Sequence, residues 1–470
     1  MLYQDNNFVI ELYSRNLLPK ILIQLQVRNK INNIHGLQTF NLLRFISFLI
    51  ISIILSKSHL SIARIGDFEI MLFIASIASF FWMTGLIQSF LSLYNNNKIF
   101  KSTNEDQKKS PEIFNAFIII CLFSLLFVLV GILVRNNLYV YSDIKKVPYF
   151  NLLIIYFLLS NPAHLVEYIF VLKNKSTDIL YYAFITYSLQ VLLVGIPILL
   201  GYDIKHAFWG LIVVSVLRVL MLVKLLIKYA EFKISIPFLK AHLTLSYPLI
   251  ISVLLSGSAQ YIDGLIVARF SGPGAFAYFR YGAKELPFVV MLASGLHNAM
   301  IPVFSKTKNL EEVLLSLKRR TRRLVNSLFP LTIGILLIAN PLYITLFNQH
   351  FRRGADVFMM YLLLIISRLI FPQTILIGLK KTNVVLWASM LSIVLNTLLS
   401  IYLIHHYEIV GVALATVIVF LIEKAALVSY IYYELGIHPT KYIPLRLHLF
   451  YTIVLITIFV LIDRRVIVLH

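Results

Sequence analysis

Apolar runs of about twenty residues recur from near residue 39 to near residue 463, separated by short stretches carrying Gly, Pro, Asn and Lys. Such runs fold with their side chains in hydrocarbon, where backbone N–H and C=O groups must be satisfied within the segment itself, so the runs must be helices. The chain is 59% hydrophobic and 13% charged, with a mean hydropathy of +0.84. A soluble core could not bury that much apolar surface. The fold class that follows is all-α, a polytopic membrane protein.

The runs place spans near 39–57, 68–94, 113–134, 149–172, 179–200 and 206–227, and again near 245–268, 274–304, 324–347, 355–379, 383–404 and 409–433. A shorter run near 447–463 reads as an extra C-terminal helix. The expected organisation is an interfacial segment over 1–36, a six-helix lobe over 37–228, a linker over 229–244, a second six-helix lobe over 245–434 and a tail over 435–470. Val9, Ile10, Leu17, Leu18, Ile21, Leu22 and Leu25 give the first segment an apolar side without the length to span. A faint repeat, Gly66-Asp67-Phe68 against Gly274-Ala275-Phe276, marks a helix break in each half, and two six-helix repeats suit a transporter with its site between them. No signal-peptide pattern precedes the first run, which is expected to serve as its own insertion signal.

Lys and Arg gather in alternate loops, among them Lys108, Lys109, Lys173, Lys175, Lys228, Lys233, Arg319, Arg320, Lys380 and Lys381. Positive loops stay on the cytoplasmic side, so the N-terminus is expected there. The formal net charge of +21 is therefore mostly a topology signal; its spread over many short loops argues against a nucleic-acid-binding face. The segment 309–324 combines helically spaced Leu310, Val313, Leu314 and Leu317 with five basic residues from Lys318 to Arg323. It reads as a helix lying on the leaflet surface or as a basic linker.

Catalytic chemistry has little to stand on. Cys121 is the only cysteine, which excludes an internal disulfide or a thiolate cluster, and the 12 His residues are scattered. No metal or cofactor is expected. The G-x-x-x-x-G-K-[ST] phosphate loop is absent, and no loop could house a soluble catalytic domain.

What stands out instead is charge inside the spans. Each such residue costs about 2.5–3.5 kcal/mol on the lenient insertion scale, which is why these residues usually mark a substrate or ion path. Arg44, His164, Glu167, Arg218, Asp263, Arg280, Lys284, Glu285, His297, Arg368, Glu423 and Lys424 all fall within runs, with cations in excess. Arg280 and Lys284, four apart, share a helix face, and two neighbouring cations in low dielectric repel unless an anion joins them. Arg44, Arg218 and Lys424 read first as span-end residues snorkelling to headgroups. Asp263 paired with Arg280 or Lys284 would be a structural ion pair or part of the path, Glu285 could neutralise a neighbouring helix, and apolar flanks make Arg368 a candidate for substrate binding.

Ser246, Tyr247 and Pro248, then Asp263, Gly264 and Arg269, then Tyr278, Arg280, Tyr281, Gly282, Lys284, Glu285 and Pro287, and finally Pro302 and Ser305 occur in a telling order. The order resembles the start of the C-terminal half of polysaccharide-type flippases in the MOP superfamily, which also holds the MATE exporters and lipid II flippases. The resemblance implies two six-helix lobes in a V around a central cationic cavity that opens alternately to each side. It also implies transport of an undecaprenyl-diphosphate-linked oligosaccharide across the bacterial inner membrane, from the cytoplasmic to the periplasmic leaflet, for O-antigen, capsule or exopolysaccharide, with polysaccharide polymerase machinery as a partner. Asp263, Arg280, Lys284 and Glu285 fall on the family's motif; Arg44 and Arg368 join them by burial alone. Arg280, Lys284, Arg368 and Arg44 are thus the expected substrate-binding residues, and Asp263 and Glu285 the ion-coupling or ion-pairing ones. A MATE-like exporter of organic cations would want acidic residues in their place. A membrane-embedded polysaccharide polymerase or ligase would want a larger outer loop.

Overall fold

The computed structural model describes residues 33–97, 109–134, 148–306 and 309–464. The expected interfacial segment lies outside these up to residue 32. Every regular element among the described residues is helical; one isolated bridge, Ser110 with Ala230, pins the approach to the third span against the end of the sixth.

The N-terminal lobe consists of α1 (Asn33–Ser56), α2 (Ile62–Asn97), α3 (Pro111–Val134), α4 (Phe150–Ala163) with its continuation α5 (Leu165–Leu172), α6 (Ser176–Leu199) and α7 (Ile204–Tyr229). Pro162, which lacks an amide hydrogen, precedes the interruption at His164. The C-terminal lobe opens with α8 (Ile236–Gly257) and α9 (Ala259–Phe270), then α10 (Gly272–Gly282) and α11 (Pro287–Lys306). The expected linker of 229–244 shrinks to 230–235, because Ser235 caps α8 and Pro237 stands in its first turn, leaving Pro248 inside the helix rather than at its start.

Two further spans that read as continuous are broken more widely. The run 274–304 divides at 283–286, where Pro287 drives Leu286 out of the helical region and restarts the chain as α11. The run 355–379 divides into α13 (Arg352–Leu362), α14 (Ile365–Arg368) and α15 (Pro372–Gly378), with a bend of 44° before Pro372. Gly66, by contrast, lies within α2 and not at a break. It is needed there because a Cβ would sit 1.9 Å from the Pro273 carbonyl oxygen, where α2 meets the start of α10.

The basic segment after Asn309 is neither a surface helix nor a linker. It forms the first turns of α12 (Leu310–Leu346), whose 37 residues run about 55 Å, well beyond a hydrocarbon core of about 30 Å. The last long element, α16 (Thr382–Leu435), reverses at Glu408, where φ is 52° and ψ −138°. The reversal is tight enough that a Cβ on Gly411 would come 2.3 Å from the Leu403 carbonyl oxygen. The extra helix, α17 (Leu445–Asp463), packs on α12, and its His448 Nε2 lies 3.0 Å from the Ile366 carbonyl oxygen beside the break in span ten.

Eleven described helices are long and apolar enough to cross a membrane, and the bent pair Gln349–Arg368 with Pro372–Gly378 makes a twelfth. The second half of α16 is one crossing more. The protein is a multi-pass membrane protein of two helical lobes, joined chiefly where α2 packs along α8 and α10.

Candidate functional site

Between the lobes lies a cavity of about 770 Å³, walled by α1, α2 and α4–α7 on one side and by α9, α10 and the break after α10 on the other. Arg44, Arg218, Arg280 and Lys284 line it against two carboxylates, Glu69 and Glu167. The break explains how Lys284 arrives there. Ala283 N bonds the Phe279 carbonyl and Lys284 N the Gly282 carbonyl, each at 2.6 Å, so the chain leaves α10 in a tight turn. Gly282 permits this, since a Cβ there would meet the Gly354 carbonyl oxygen of α13 at 2.3 Å.

The cations are incompletely matched. Arg280 Nε stands 3.7 Å from the Glu69 carboxylate, beyond hydrogen-bond reach, while its guanidinium lies 5.6 Å from the Phe73 ring centroid. Lys284 has the Tyr281 ring at 5.2 Å but, like Arg44, no carboxylate within ion-pair distance among the described residues. Across the cavity, Arg218 donates from Nε to the Tyr182 hydroxyl at 2.9 Å and faces Glu167 at 3.6 Å, and His164 Nδ1 lies 3.1 Å from Glu167. Arg218 therefore does not snorkel; its side chain is 11% exposed and bridges α5, α6 and α7.

Six cavity residues hold a buried polar atom with no hydrogen-bond partner among the described residues: Asn161 Nδ2, Glu167 Oε2, Tyr187 Oη, Gln190 Nε2, Arg218 Nη2 and Arg280 Nε. Only the Glu167 oxygen is confined to accepting. Each unmade bond costs about 1–3 kcal/mol, and the surplus of donors is what an acceptor-rich, anionic guest would relieve.

The other expected site residues are placed elsewhere. Asp263 does not pair with Arg280 or Lys284. Its carboxylate accepts from Asn396 Nδ2 at 2.7 Å, Thr416 Oγ1 at 2.5 Å and the Tyr361 hydroxyl at 3.1 Å, because this face of α9 turns toward α16 and α13. Arg368 is held by Glu285 in a two-pronged contact, Nε–Oε2 at 2.7 Å and Nη2–Oε1 at 2.5 Å, with Phe420 beneath at 5.3 Å. It stands outside the lining of this cavity. Glu285 thereby ties the break in span eight to the break in span ten, offsetting the charge of Arg368 on the neighbouring element. Lys424 donates to the Gln373 side chain instead of reaching the surface, and Gln373 in turn donates to Glu423 at 2.8 Å. Sequence reasoning missed Glu69, Asn161, Tyr187 and Gln190. A carboxylate deep within the second apolar run was a usable signal for Glu69; the amides and the phenol carried none.

The sequence profile described as polysaccharide biosynthesis protein matches residues 60–355. The chain belongs to this family. The family stretch includes most of the cavity wall and ends within α13. Similarity among solved structures is to a lipid II flippase in an inward closed conformation, at TM-score 0.63 and 18% identity over 92% of this chain and 94% of that one. A MOP superfamily transporter from Pyrococcus furiosus aligns at TM-score 0.53 and 14% identity, over 85% and 95%. At these identities the likeness establishes the fold alone. No curated protein matches the chain in sequence.

Proposed function

We propose that this member of the polysaccharide biosynthesis protein family flips an undecaprenyl-diphosphate-linked oligosaccharide from the cytoplasmic to the periplasmic leaflet of the bacterial inner membrane, by alternating access of the cavity. The reading rests on one observation: the cavity presents four cations against two carboxylates and a surplus of unpartnered donors. A diphosphate with its sugars cannot shed water into hydrocarbon unaided. A cationic, donor-rich passage replaces that water while the polyprenyl tail stays in lipid. In this scheme Arg280, Lys284 and Arg44 hold the diphosphate, and the amide and phenol groups of Asn161, Gln190 and Tyr187 meet sugar hydroxyls. The delivered unit then serves polysaccharide polymerase machinery in O-antigen, capsule or exopolysaccharide assembly. The distribution of Lys and Arg supports a cytoplasmic N-terminus. An exporter of organic cations is disfavoured by the polarity of the same lining.

The test is deletion of the gene followed by assay of lipid-linked oligosaccharides on each side of the inner membrane. Finished units should accumulate on the cytoplasmic side and be cleared by the wild-type gene. Normal delivery, with altered tolerance of cationic drugs, would sink the reading in favour of a MATE-like exporter.

Alternating access requires the lobes to part at the end where α1 finishes. There Ser56 Oγ donates to the Phe347 carbonyl at 3.1 Å, and the Asn348 amide donates to the Ser56 carbonyl. Joining Ser56→Cys to Asn348→Cys with a short thiol crosslinker, in a Cys121→Ala background, should abolish transport, with recovery on cleavage. Undiminished transport by fully crosslinked protein would show that this contact need not open.

In the same scheme Asp263 couples an ion, being a lone carboxylate buried among neutral donors. Asp263→Asn should retain exchange of substrate between leaflets yet lose net movement driven by an ion gradient. Gradient-driven movement at the wild-type rate would remove Asp263 from that role.

A further inference from the structure

A second recess lies on the outside of the N-terminal lobe, between the antiparallel helices α6 and α7. Near Gly210 the two touch, since a Cβ there would fall 2.3 Å from the Leu193 carbonyl oxygen. Toward the start of α6 and the end of α7 they diverge around Phe170, Tyr182 and Met221, opening a groove of about 410 Å³. Its floor and rims are mostly apolar, with Arg218 and Thr186 among them, and Tyr181, Ile185 and Leu217 are exposed along it, facing away from the bundle. From Leu217 to Lys228 the groove runs about 16 Å at the helical rise, close to the depth of one leaflet, half of a core of about 30 Å.

Its open end is cationic. Lys175, Lys224 and Lys228 line it with a single carboxylate, Asp178, which lies 3.7 Å from Lys175. The ammonium groups of Lys173, Lys175 and Lys228 stand 5.3, 5.8 and 5.2 Å from the centroid of one ring, that of Tyr229. Neither Lys224 nor Lys228 has a carboxylate within ion-pair distance among the described residues. Loop lysines that merely enforce topology are free to spread into water. Here they converge on one buried ring at the mouth of an apolar slot, where an anion would relieve their repulsion.

We infer that this groove binds an anionic diacyl phospholipid, its phosphate among Lys175, Lys224 and Lys228 and an acyl chain laid along α6 and α7 toward Arg218. Charge complementarity selects the headgroup and the one-leaflet length selects the chain. Arg218 borders both this groove and the central cavity, and its hydrogen-bond partner Tyr182 lines the groove, so an occupant buttresses the cavity wall from behind. The site is independent of what the cavity carries.

The test uses the full chain purified in detergent, with lipid occupancy read by native mass spectrometry and thermal stability read alongside. Phosphatidylglycerol should bind and raise the melting temperature, whereas phosphatidylcholine with the same chains, and inorganic phosphate alone, should do neither. Lys224→Gln with Lys228→Gln should weaken phosphatidylglycerol binding roughly 30-fold. Lys224→Arg with Lys228→Arg, which keeps both charges, should bind normally, and Ile185→Trp should block the slot with the lysines intact. Equal binding of phosphatidylglycerol and phosphatidylcholine, or full binding by either Lys224→Gln/Lys228→Gln or Ile185→Trp, would overturn the site. Inorganic phosphate matching phosphatidylglycerol would reduce it to an anion site without a lipid, and tighter binding of a polyprenyl phosphate would assign the groove to a substrate tail.

Discussion

Arg280→Ala combined with Lys284→Ala is expected to slow delivery of lipid-linked oligosaccharide at least about 100-fold, with protein level and detergent-extracted fold unchanged. Charge-assisted hydrogen bonds contribute about 1.5–3 kcal/mol each, and two of them lost in a desolvated passage amount to at least two decades in rate. The fold should survive because neither cation is held by a hydrogen-bonded ion pair among the described residues: Arg280 Nε stands 3.7 Å from Glu69 without a hydrogen bond, and Lys284 has the Tyr281 ring at 5.2 Å. Each single substitution should cost about tenfold. Lys284→Arg should restore most of the rate, since it returns the charge to the same turn. Wild-type delivery by the double variant at normal protein level would remove the cationic path from the mechanism.

Glu285→Ala should act on stability first. It leaves the Arg368 guanidinium without its two-pronged partner over the Phe420 ring. Stripping one partner from a fully buried pair costs about 3–5 kcal/mol. With the two side chains 37% and 21% exposed, about 2–3 kcal/mol is the reasonable expectation after solvent screening. The loss should appear as a melting temperature lower by several degrees. Glu285→Ala with Arg368→Ala should recover part of it, because no buried charge is stranded, and the exchange Glu285→Arg with Arg368→Glu should recover more. If Arg368→Ala alone abolished transport while leaving stability untouched, Arg368 would belong to the substrate path and the structural reading of this pair would fail.

These two expectations differ although Lys284 and Glu285 are adjacent in sequence. Both belong to one motif and both lie in an apolar run, so burial alone marks them equally. The turn after Gly282 separates them, sending Lys284 into the cavity between the lobes and Glu285 into the C-terminal lobe toward Arg368. A continuous helix would have kept Arg280 and Lys284 on one face; the break at 283–286 allows them to line one cavity from different backbone environments.

Asp263 shows the same limit from the other side. An isolated acid in a span beside a run of cations invites an ion pair, yet its partners are Asn396, Thr416 and Tyr361, between 98 and 153 residues away along the chain. No local pattern marks an Asn or a Thr on a distant helix as the complement of an acid. For Glu69 the signal was present and unread, because a carboxylate in the second apolar run carries the same cost as the cations did.

The sequence by itself determined the all-α membrane class, the order and approximate ends of the spans, the motif through the start of the second lobe and the excess of buried cations. These follow from the transfer cost of apolar and charged groups, a property that residues carry wherever they sit. Only the tertiary structure decided which charges share the cavity, which are spent on Glu285–Arg368, where the eighth and tenth spans break, and that α6 and α7 part to form a lysine-mouthed groove. Those outcomes depend on the rotation of each helix about its axis and on the partner it meets, and a rotation of half a turn carries a side chain from lumen to lipid with no change in hydropathy.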